Sequence, residues 1–87
     1  MARRVLQRLD GMGKWGGYHT EISHLPRGFA THERGLVLEI ARALIEADLL
    51  VEKQSVGQRH VYLNSRRVKE IRAAIDEGEL PHRLVLP

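Results

Sequence analysis

Eighty-seven residues, 9.9 kDa, is enough chain for one domain around one modest core. At 43% hydrophobic and 29% charged residues the chain is too apolar for disorder, and it lacks the run of about 18–20 apolar residues that a bilayer span requires. The absence of cysteine excludes disulfide scaffolds, thiolate metal sites and cysteine nucleophiles, while fourteen Lys and Arg against eleven Asp and Glu lean towards polyanionic partners.

The first segment, ARRVLQRL (2–9), spaces Val5, Leu6 and Leu9 along one side with Arg3, Arg4 and Arg8 around the other, which predicts a short amphipathic helix. It shows no sustained apolar stretch and no small-residue cleavage site, so a cytoplasmic protein is expected. GMGKWGG (11–17) is a loop by its glycines. Trp15 within it suits either a core plug or, with Tyr18 and Lys14, a stacking platform for unpaired bases. Thr20 can cap a second helix over 20–25, which Pro26 ends. Thr31 caps a third helix over 32–47, whose stripe is Leu36, Val37, Ile40, Ala41, Leu44 and Ala47. After Asp48 the apolar period falls from 3.6 to 2, and strands 49–55 and 58–64 flank a turn at Val56-Gly57. Ser65 then caps a last helix, 65–77, with Val68, Ile71 and Ile75 on its stripe and Gly78 as its stop. The domain therefore spans 1–78, and 79–87 is an extended tail whose Leu84, Val85 and Leu86 pack on the body or on a neighbour.

The fold class expected is mainly α with a small β-hairpin. A long helix ending LIEADLLVEK and running straight into a basic hairpin resembles the third helix and wing of a winged helix-turn-helix domain, over roughly residues 3–64. The helix 65–77 is an addition to that three-helix core plus wing. Many members carry glycine at the helix-to-strand corner; this chain has Asp48, which tolerates a left-handed backbone better than most residues. The resemblance implies nucleic-acid binding, with the third helix in the major groove of double-stranded DNA and the hairpin as second contact. A transcription regulator or a nucleoid- or chromatin-associated factor is the role it implies.

Charge by segment agrees with that expectation. Net charge is +3 over 1–34, −2 over 35–55, +4 over 56–72 and −2 over 73–87. The candidate nucleic-acid contacts are Lys14 in the glycine loop, Arg27 in the turn, Thr31, His32 and Arg34 at the start of the third helix, Gln58, Arg59 and His60 near the wing tip, and Arg66 and Arg67 on the last helix. Arg34 offers a planar fork that matches guanine's two acceptors, or it pairs with an acid such as Glu33. Arg59 shares strand parity with Val61 and Leu63, so it either tips the wing or snorkels from the core edge.

GMGKWGG lacks the GxxxxGK[ST] spacing of a phosphate-binding loop. The five histidines show no HxxxH or HExxH pair, and no serine sits in a nucleophile elbow. No metal, no cofactor, no membrane contact and no enzymatic activity are therefore expected. Three alternatives stay open: a protein-interaction adaptor in a ribosome-associated or replication assembly, a structured-RNA binder, and a homodimer paired through 65–77 or through the tail.

Overall fold

The computed structural model describes residues 1–87. Three α-helices, several 3-10 turns and one antiparallel three-stranded sheet share a single core. In chain order these are α1 (Ala2–Gly11), β1 (Thr20–Glu21), a 3-10 helix (Ile22–Gly28), a 3-10 turn (Thr31–Glu33), α2 (Arg34–Glu46), β2 (Leu50–Ser55), β3 (Gln58–Leu63), a 3-10 turn (Ser65–Arg67) and α3 (Val68–Glu77). No helix is long and apolar enough to cross a membrane.

Helix α1 buries Ala2, Val5, Leu6 and Leu9, and its Arg3 and Arg8 satisfy carbonyls of other elements. Arg3 Nε donates to Ile75 O (2.9 Å), at the end of α3, where a cation also meets the negative end of the helix dipole. Arg8 Nε donates to Leu25 O (3.0 Å). Trp15 is the expected core plug. Its indole packs against the core, and its Nε1 donates to Asp10 Oδ1 (3.0 Å). Asp10 also forms an ion pair with Arg72 (2.6 Å), which joins α1, the glycine loop and α3. The Trp15 hydrogen bond and Arg72 together hold the Asp10 carboxyl below its ordinary range.

The helix expected over 20–25 does not form. Thr20 and Glu21 instead add an edge strand, opposite Val61 and His60 of β3, and the sheet order is β1-β3-β2. Thr20 is β-branched and packs on the pleated, buried face, which outweighs its use as a cap. Residues 22–28 then form a 3-10 helix with Pro26 inside it, closed by Phe29 N–H to Pro26 O (2.9 Å). Two cap assignments also move by one residue. Ala30, with extended backbone, precedes the turn into α2, and its N–H donates to the Glu33 carboxylate (3.3 Å), so Thr31 is not the cap. Asn64 rather than Ser65 starts the last helical segment: its Oδ1 accepts from Arg66 N (3.1 Å) while its Nδ2 donates to Asp48 O (2.9 Å). The amide supplies a donor at one end and an acceptor at the other, so one side chain satisfies both groups.

The corner between α2 and β2 is left-handed at Asp48 (φ 67°), as its aspartate allows. Leu50, Val61 and Leu63 face the core, and Val51, Lys53, His60 and Tyr62 face outward. The hairpin turn has left-handed backbone at both Val56 (φ 53°) and Gly57 (φ 74°). Glycine suits that geometry and a β-branched residue does not. Val56 is also 96% exposed, so its side chain gains nothing in return. Val56→Asn is expected to raise stability by about 1 kcal/mol, read as a rise of about 4–8 °C in the thermal midpoint.

Helix α3 ends as expected at left-handed Gly78 (φ 73°). Ile71 and Ile75 are buried in the chain's own core, and Val68 alone of the three stripe residues is exposed. The tail folds back. Arg83 Nε donates to Ala47 O (2.8 Å) beyond the end of α2, and its guanidinium grips Glu70 (2.6 and 3.0 Å). Leu84 packs on the core while Val85 stays 80% exposed.

Candidate nucleic-acid interface

The amino end of α2 is assembled from beneath. Gly28 lies against the Arg8 guanidinium so closely that a Cβ there would come within 2.6 Å of Arg8 Nη1. Phe29 is buried, with the Arg4 guanidinium 4.8 Å above its ring, and Arg4 reaches on to Glu33 (3.2 Å). Burial opposes ionisation of Glu33, but the Ala30 N–H and Arg4 outweigh it and hold the carboxyl low. These contacts fix the 25–33 turn and place Arg27, Thr31, His32 and Arg34 at its exposed surface. The 3-10 turn in front of α2 takes up the leading N–H groups, Arg34 N–H donating to Thr31 O and Glu33 N–H to Ala30 O (2.9 Å), so an anion at this end is met by side chains.

One side of α2 is buried through Val37, Ile40, Ala41 and Leu44. The other presents Arg34, Leu38 and Arg42 at four-residue spacing, bordered by Leu36, Glu39 and Glu46. Leu36 and Leu38 are 38% and 41% exposed. The tail lies along the carboxyl half of this side, where Val85, Leu86 and Pro87 form a shallow groove with Glu39, Arg42, Ala43 and Glu46.

Of eleven arginines, seven are engaged within the chain: Arg3, Arg4, Arg8, Arg59, Arg67, Arg72 and Arg83. The side chains of Arg27, Arg34, Arg42 and Arg66 are exposed and make no hydrogen bond or ion pair. The first three of these belong to the stretch 22–46. Arg34 therefore does not take the surface-pair alternative with Glu33, whose partner is Arg4.

The remaining expected contacts do not share this surface. Arg59 lies on the same side of the hairpin as Val61, and its Nε and Nη2 meet both oxygens of Glu52 (2.7 and 3.0 Å). That fork-to-carboxylate pair lowers the Glu52 pKa and leaves the wing without a free cation on its inner side. Gln58 is exposed at the tip. His60 points outward and meets His19, with the two Nδ1 atoms 2.8 Å apart and the rings edge to face. The pKa of His19 is lowered by burial, then by His60, Lys53 and Lys14, which sets Lys14 near this outer face too. Arg66 borders the outer face beside Lys53. Arg67 is taken up by Asp48 (3.1 Å) and Glu70 (3.6 Å).

The expected single cationic surface is thus two surfaces on opposite sides of the sheet. One joins Arg27, Thr31, His32 and Arg34; the other gathers Lys14, His60 and Arg66. Sequence reasoning passed over His19, Arg42 and Lys53. Lys53 was within its reach, because it shares strand parity with Val51 and sits opposite His60 once the turn is placed at 56–57. No family model matches the chain, and no match emerges among curated proteins or solved structures.

Proposed function

We propose that this chain is a winged-helix protein that binds double-stranded DNA through the amino end of α2. The order of helix, strand, helical turn, helix and two-stranded ribbon, with β1 laid against β3, supports the winged-helix assignment. The observation that carries the binding assignment is the distribution of free arginines: three of the four lie between residues 27 and 42, in the turn before α2 and on its exposed side. Arg34 is the base-reading residue, and Arg27, Thr31 and His32 hold the backbone. The contact is confined to the amino half of α2, because Glu39 and Glu46 repel phosphate and the tail covers that end. The chain acts as a binding module and not as an enzyme.

Fluorescence anisotropy with a labelled duplex across a salt series tests this. With Arg27 and Arg34 as the two arginines of this surface, the slope in log affinity against log salt is expected at about −1 to −2. Absent or salt-insensitive binding rejects the reading, and a duplex RNA arm run in parallel distinguishes the two nucleic acids. A second reading, a protein-docking winged helix, draws on exposed Leu36 and Leu38 beside two glutamates. It predicts no duplex binding at any salt.

A further inference from the structure

The side of the sheet turned away from α2 carries a cavity of about 440 Å³. Its floor is Val51 and Tyr62, its cations are Lys53 and Arg66, and Ser65 adds a hydroxyl. Gly16 and Gly17 form a rim with no side chains to close the mouth. Neither Lys53 nor Arg66 has an acidic partner. The acid in the lining, Asp48, is held by Arg67 (3.1 Å). Asn64 also borders the cavity but has its amide committed to Asp48 O and Arg66 N. Beside the cavity, Lys53 stands opposite His60, and the charges of Lys53 and Lys14 both act on His19. Three cations, Lys14, Lys53 and Arg66, thus gather around the cavity and its margin.

Like-charged groups set side by side cost stability unless something anionic neutralises them. The cavity is far larger than a phosphate needs and falls in the range of small-molecule sites, about 300–1,000 Å³. Two of its nine lining residues, Val51 and Tyr62, are apolar and aromatic, and a free anion would leave them unused. We propose that this cavity binds a mononucleotide, with the phosphate between Lys53 and Arg66 and the base against Tyr62 and Val51. The site is separate from the α2 surface and stands whether or not that surface binds DNA.

The test is an NMR titration of the full chain, observing backbone amides, with AMP, adenosine and inorganic phosphate as three probes. AMP is expected to shift Gly16, Gly17, Lys53 and Arg66 saturably, with a dissociation constant of about 1 mM or tighter. Adenosine and phosphate should each bind at least about tenfold more weakly, because each makes only half of the contacts. Lys53→Ala and Arg66→Ala should each weaken AMP by about tenfold without moving the thermal midpoint. Silence at about 10 mM AMP overturns the proposal, as does phosphate binding as well as AMP, shifts centred on Arg27 and Arg34, or unchanged affinity in Lys53→Ala. Lys53→Ala should bind duplex DNA as the parent does, so the two sites fail or succeed independently.

Discussion

Leu25→Ala is expected to destabilise the chain by about 2–5 kcal/mol in urea unfolding. Leu25 is completely buried, and it is the apolar anchor of the 3-10 helix over 22–28. Truncation removes transfer energy and leaves a void that a segment containing Pro26 cannot collapse to fill, since proline fixes its backbone. A domain of this size has about 4–13 kcal/mol in total, so the loss is a large fraction of it. The effect also reaches the surface. Leu25 O receives Arg8, and Arg8 in turn lies against Gly28, so loosening Leu25 releases the turn that carries Arg27. Amide exchange over 22–30 should quicken more than exchange over 68–77. A cost below about 1 kcal/mol would mean that this turn is not packed as described.

Arg34→Ala is expected to cost about 1–3 kcal/mol of duplex affinity and to flatten the preference among sequences. Arg34 begins α2, is exposed, and has no partner to lose within the chain, so the loss should appear in binding alone with stability unchanged. Arg27→Ala should weaken every duplex alike and lower the salt slope by about 1. The contrast is the informative result. If both variants lose affinity equally across all sequences, Arg34 grips phosphate and α2 does not enter the groove.

Much of the fold was legible because the apolar periods are strong. Helices α1, α2 and α3 and both hairpin strands follow from spacing, and Val56-Gly57 marks the turn. β1 was not legible. Two residues carry no period, and Thr20-Glu21 becomes a strand only because β3 offers an edge from forty residues away. The 3-10 helix over 22–28 was missed for a related reason: the six residues 20–25 followed by Pro26 read as a stopped α-helix, and tertiary packing of Leu25 decides otherwise. At the candidate site, exposure of Arg27 and Arg34 follows from pattern, whereas partnership does not. Whether an arginine is free depends on acids brought near by folding, as Glu52 is to Arg59 and Asp48 to Arg67. Segment charge counted both of those arginines as available, and the fold neutralises them.

Arg83 closes the tail over the far end of α2, so the last residues run alongside Glu39, Arg42, Ala43 and Glu46. Whatever is joined covalently after Pro87, a dye, an affinity handle or a fused protein, starts its course there and crowds the exposed side of α2. Measurements made with such an attachment should report weaker duplex association than those on the bare chain, and a spacer long enough to clear that flank should restore it.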